Sequence, residues 1–130
     1  MRHIESENQT AFATWFKYQY PKYVDNLNAS LVGANVGVRA GKLAKDMGVC
    51  KGWPDITLAV PNVFYSGLFI EMKSVIDGKK GKVSEDQKRV HLALYRAGYR
   101  VVVCYNADQA RETVKEYMRY LKPEVSENPV

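Results

Sequence analysis

The sequence predicts an α/β domain: a small mixed β-sheet flanked by helices. Three observations predict it. Two apolar, β-branched runs, Ile56 to Val60 and Leu68 to Met72, are joined by a loop containing Pro61, Asn62 and Gly67, the pattern of an antiparallel hairpin. Stretches with apolar residues at i, i+3 and i+4 stand on either side of them. A third apolar run, Arg100 to Tyr105, follows one of those helical stretches.

In chain order, Ile4 to Tyr20 reads as a helix that Pro21 ends, with Ile4, Glu7, Ala11, Trp15 and Tyr18 on one stripe and Phe12 and Phe16 broadening it. Glu7 is the exception on that stripe, because burying an unpaired carboxylate is costly. Leu27 to Val32 can form a short strand. Val38 to Met47 is amphipathic and stops at Gly48; Arg39, Lys42 and Lys45 fall on one side of it, where they could touch phosphates. From Ser74 to Val83, two glycines among Lys79, Lys80 and Lys82 suggest a mobile cationic loop. Ser84 and Gln87 fit a capping box opening a helix to Ala97, with Gly98 as its stop. Gln87 is either engaged in that cap or directed inward from the first turn. His91 borders the helix's apolar stripe. Arg100 to Tyr105 has the continuous apolar character of a strand buried on both faces. Asn106 caps a last helix whose inner residues are Ala110, Val114, Tyr117 and Leu121, before Pro123.

The bulk numbers set bounds. A chain of 130 residues makes one domain, here residues 1–122, and the polar segment 123–130 is expected to be a disordered tail. No run approaches the roughly 18 apolar residues of a membrane span, nor is there a signal-peptide core, so no membrane association and a cytoplasmic location are expected. Two cysteines without metal-binding spacing fit a reducing compartment. A net charge of +5 leans weakly towards a polyanionic partner.

The chemistry concentrates around the hairpin. Asp55 opens its first run; Glu71 and Lys73 close the second, two residues apart and so on one face, with Cα atoms roughly 6–7 Å apart. Antiparallel pairing brings Asp55 beside both. Two converging carboxylates repel unless a proton or a cation intervenes, and a hard divalent cation with oxygen ligands is the simplest resolution. Mg2+ or Mn2+ is therefore expected on Asp55, Glu71 and the backbone carbonyl of Met72. Phosphodiester hydrolysis fits such a centre. Lys73 would orient or deprotonate the attacking water, Gln87 would hold that water or Lys73, and Glu7 would bind a second metal or its water.

Gly52-x-Pro54-Asp55, then Glu71-x-Lys73 preceded by Leu68, Phe69 and Ile70, then Val83-Ser84-x-x-Gln87, resembles the PD-(D/E)XK nuclease superfamily and, within it, the VRR-NUC family. The helix beginning Glu5-Ser6-Glu7 is similar to that family's opening helix with its active-site glutamate, and Glu7 is preferred to Glu5 for its place on the stripe. The resemblance spans roughly residues 4 to 121. It implies a restriction-endonuclease-like core and a stand-alone member of the kind found in phages and bacteria, working in the bacterial cytoplasm as a homodimer that makes paired incisions in four-way (Holliday) junctions. Other branched substrates such as flaps, nicking, and a non-catalytic DNA-binding module are the alternatives. The DNA contacts expected are Arg39, Lys42, Lys79, Lys80 and Lys82.

Overall fold

The computed structural model describes residues 4–30 and 38–129, with the backbone alone for residues 4, 5 and 38–40. Helix α1 (Ile4–Gln19) is followed by a 3-10 turn (Pro21–Asn26) and strand β1 (Leu27–Ala29), then helix α2 (Val38–Asp46). Strands β2 (Ile56–Leu58) and β3 (Leu68–Met72) lead into a small hairpin of β4 (Val75–Ile76) and β5 (Lys79–Lys80). Helix α3 (Glu85–Arg96), strand β6 (Arg100–Cys104) and helix α4 (Ala107–Met118) complete the chain. Residues 31 and 32 of the expected first strand lie outside the described residues.

The main sheet has the order β1-β2-β3-β6. β2 pairs antiparallel with β1 and β3, with Ile56 opposite Ile70 and Leu58 opposite Leu68. β6 lies parallel to β3, with Glu71 opposite Val103. Parallel neighbours need a crossover, and α3 supplies it. The sheet is therefore mixed, and the expected hairpin between the two β-branched runs is present.

Alternation along β3 divides the sheet's two faces. Leu68, Ile70 and Met72 turn towards α1 and α4 and pack in a core with Phe12, Phe16, Ala110, Val114 and Tyr117. Phe69 turns the other way, onto Val90 and Leu94 of α3. All five β3 residues are buried, as a strand covered on both sides requires.

Two expectations about burial are corrected. In α1 the buried stripe runs through Phe12 and Phe16, while Glu7, Ala11 and Tyr18 are exposed. The aromatic pair outweighs the longer but weaker row, because large side chains gain more from burial. β6 is only half-buried over Val101 to Val103, because it forms one margin of the sheet. The expected mobile cationic loop is instead the β4–β5 hairpin, with Asp77 and Gly78 at its tip both at positive φ (50° and 76°), the pairing that a two-residue type I′ turn needs.

Capping fixes α3. Ser84 Oγ accepts from the Gln87 N–H, and Gln87 Oε1 accepts from the Ser84 N–H at 2.9 Å. Gly98, at φ 98°, ends the helix as the sequence predicts. Past α4, the residues to 129 form no helix or strand, although Glu124 pairs with Lys22 at 2.8 Å. Both cysteines are free thiols, Cys50 exposed and Cys104 buried. Among the described residues no helix is long and apolar enough to cross a membrane.

Candidate active site

Register places the acids. One step beyond the Ile56–Ile70 pair, Asp55 stands opposite Glu71, and both project onto the α3 side of the sheet with Phe69. The Met72 N–H donates to Asp55 Oδ2 at 2.7 Å. The aspartate is therefore pinned against the strand that carries Glu71. Its backbone is also held: Asp55 O accepts from the Ser30 N–H at 2.8 Å, extending the β1–β2 pairing by one rung. Lys73, two residues after Glu71, shares its face, and its own N–H donates to Cys104 O at 2.8 Å.

Glu71 is 2% exposed. A carboxylate so deeply buried needs partners, and one is His91, whose Nε2 lies 3.2 Å from Glu71 Oε1. Burial chiefly, and then the Lys73 ammonium, holds the His91 imidazole below its ordinary pKa, against the opposing pull of Asp55. Its contact with Glu71 is within hydrogen-bond distance. Asp55 and Lys73 both stand near enough to His91 to act on its charge. By its sequence position His91 only borders the apolar stripe of α3. The signal that points to it is its spacing of four from Gln87, which sets both on the same side of α3.

The turn before Asp55 is keyed into α3. Gly52 has φ 94°, and a Cβ there would stand 2.6 Å from the Asp86 carbonyl carbon. Only glycine allows this approach. Pro54 is buried, and Trp53, half exposed, meets Phe69 edge-on at 5.4 Å.

The remaining candidates are placed less centrally. Gln87 spends its side-chain oxygen on the cap, which decides between its two readings in favour of capping. Glu7 sits on α1, which packs on the opposite face of the sheet from the acid pair, so the face assigned to it is corrected. The opening turns of α1 nonetheless reach the same end of the sheet, since Gln9 Nε2 donates to Ser30 O at 2.6 Å. Gln9 Oε1 is buried without a hydrogen-bond partner among the described residues. Lys42, Lys79, Lys80 and Lys82 are exposed; the side chain of Arg39 lies outside the described residues. A cleft of about 470 Å3, lined by Asn62, Tyr65, Arg100 and Tyr117 among others, opens at the other end of β3 and does not include the acids.

Among the described residues no three His, Cys, Asp or Glu side chains form a metal-holding group. A cation at Asp55 and Glu71 would have two carboxylates and would complete its shell with backbone oxygen and water. That donor set suits a hard, strongly hydrated ion such as Mg2+ and does not suit zinc.

The VRR-NUC domain profile matches residues 3–108. A solved structure described as a VRR_NUC domain protein is similar at a TM-score of 0.77 and 27% identity, covering 98% of this chain and 99% of that one. No curated protein matches the chain. With the acid pair, the lysine and the sheet order in place, the chain belongs to the VRR-NUC family of nuclease-type, DNA-processing domains.

Proposed function

We propose that this chain is a metal-dependent, structure-selective DNA endonuclease that hydrolyses phosphodiester bonds in branched double-stranded DNA. One observation carries the reading: Asp55 and Glu71 face each other across adjacent strands, with Asp55 tied to the Met72 N–H at 2.7 Å and Lys73 on the same face. A bound Mg2+ or Mn2+ would neutralise the phosphate oxygens and acidify the attacking water. Asp55, Glu71 and the Met72 carbonyl would hold it. Lys73 places an ammonium where negative charge develops on the phosphorus oxygens, and it orients the water. Gln87, its oxygen engaged in the cap, would contribute only its amide group from the first turn of α3, and Glu7, on the helix behind the sheet, would act only through a second metal or its water. The exposed Lys79, Lys80 and Lys82 beside the acids, with Lys42, supply phosphate contacts.

We assign a homodimer acting on four-way junctions as the working assembly. Leu43, Met47 and Val49 expose apolar surface along and just beyond α2, which a second copy would cover, and a two-fold dimer presents two equivalent centres to a two-fold junction. The test is cleavage of a four-way junction, a flap, a duplex and single strands, with and without Mg2+ or Mn2+, beside sedimentation of the same sample. Metal-dependent cutting of branched DNA that Asp55→Ala and Glu71→Ala abolish is expected. If every substrate stays intact with either metal and Asp55→Ala matches the wild type, the nuclease reading fails. Salt-sensitive binding without cleavage would make the chain a DNA-binding module instead.

A further inference from the structure

The β4–β5 hairpin has a place and a composition that the acid pair does not explain. It leaves the sheet immediately after Lys73. Its base is closed by the Gly81 N–H donating to Ser74 O at 2.9 Å, and a Cβ at Gly81 would lie 3.5 Å from Lys73 Cδ, so the hairpin rests along the lysine stem. Lys80 Nζ sits 4.8 Å from the centroid of the Tyr105 ring, anchoring one face to the body. Val75 is paired with Lys80 and shares that face; Ile76 is paired with Lys79 and points the other way. Ile76 is 56% exposed. An isoleucine directly before a tight turn, turned to solvent with Lys79 paired beside it, is poor at stabilising the fold.

We infer that Ile76 is a wedge that enters an opened base step within about three nucleotides of the scissile phosphate, so that the enzyme favours DNA whose stacking is already broken at a branch. The inference rests on the nuclease reading. The occupant follows from charge and chemistry: Lys79, Lys80 and Lys82 attract phosphates, and an apolar side chain among them needs an apolar surface beside phosphates, which is the face of a base. Apolar side chains inserted between base steps are an established way of unstacking DNA. Reach agrees. Ile76 stands three positions after Lys73, at most roughly 10 Å away at about 3.4 Å per extended residue, or about three nucleotide steps of 3.4 Å each. A continuous duplex would have to be unstacked first; a junction or flap offers the gap ready-made. Ile76 is therefore a specificity-determining residue that touches bases and takes no part in the hydrolysis.

The experiment places 2-aminopurine within three nucleotides of the cut site at the branch point and follows its emission as protein is added in EDTA, so that no turnover intervenes. Wild type and Ile76→Leu should raise the emission several-fold at saturation. Ile76→Ser should bind yet leave it near the free-DNA level, and in Mg2+ should lose about tenfold in its preference for branched over continuous DNA. Because Ile76 is exposed, the serine variant should melt with the wild type. A wild-type complex without an emission rise, or an Ile76→Ser complex with a full one, overturns the wedge. An emission rise without any cleavage in Mg2+ or Mn2+ leaves the wedge standing and overturns the nuclease reading.

Discussion

His91 Nε2 lies 3.2 Å from Glu71 Oε1, and this contact ties the crossover helix α3 to the acid at the end of β3. It aims one carboxylate oxygen. Groups that hold a metal's ligands in place commonly contribute 10–100-fold to metal affinity or activity. His91→Ala should therefore slow cleavage by about 10–100-fold at fixed Mg2+, move the half-saturating Mg2+ concentration upward, and leave DNA affinity in EDTA unchanged. His91→Asn, which keeps a donor, should recover part of the loss. A Mg2+ titration of cleavage rate for the three proteins measures this, and an alanine variant with the wild-type curve would refute the positioning role.

The approach of Gly52 to α3 makes a second prediction. Gly52→Ala meets both a positive φ and a backbone carbonyl carbon 2.6 Å away, and should cost roughly 2–5 kcal/mol. Gly48 is the internal control: its φ is 95°, but a Cβ there meets nothing within 4 Å. Gly48→Ala should cost only about 1–2 kcal/mol, the backbone part alone. Thermal unfolding of the two variants should separate them by several degrees. Equal losses would show that the turn before Asp55 does not bear on α3.

Local rules made part of this molecule legible from its residues. The Ser84–Gln87 box, the Gly98 stop and the Leu68–Met72 strand depend on neighbours in sequence, and all three stand where the sequence predicts. The meeting of Asp55 and Glu71 was legible too, because an antiparallel pair needs only a short loop and a register. The face of α1 was not. Two overlapping stripes fit the helical period, and only the opposing surface of β3 and α4 selects Phe12 and Phe16 over Ala11 and Tyr18. Likewise a run of valines cannot disclose that its strand borders the sheet. His91 was hidden for the same reason, since its partner arrives from an element twenty residues earlier. The cationic hairpin carries a local signal as well: Asp77-Gly78 between two β-branched residues and two lysines suits a type I′ turn.

The lysines of that hairpin should set the salt dependence of binding. Each phosphate contact on duplex DNA contributes about 0.9 to the slope of log K against log salt. Replacing Lys79, Lys80 and Lys82 together by alanine should flatten the slope by about 2–3. Folding should change little, since all three are exposed and an exposed cation–aromatic contact such as that of Lys80 with Tyr105 is worth only about 0.5–1 kcal/mol. Fluorescence anisotropy across a range of KCl concentrations reads the slope. An unchanged slope would place the DNA elsewhere on the surface.

At the far end of the sheet, Tyr117 gives a prediction about alkaline stability. Its hydroxyl donates to Val60 O at 2.6 Å, and the ring is 4% exposed. Burial pushes the phenol up to about 12, although the neighbouring Asn62 pulls slightly the other way. The unfolded chain titrates near 10. A folded-state value above the unfolded one means that the fold favours the neutral phenol, so this contribution is complete below pH 10 and is lost between pH 10 and 12. At about 1.4 kcal/mol per unit, the two-unit rise is worth up to roughly 3 kcal/mol. Tyr117→Phe removes the titration but leaves Val60 O without that donor, at a cost of about 1–3 kcal/mol near neutrality. Urea unfolding at intervals from pH 8 to pH 12 should show the wild type losing stability faster than the variant above pH 10, with the two curves converging. Parallel curves over that range would mean that the buried hydroxyl does not govern the alkaline limb.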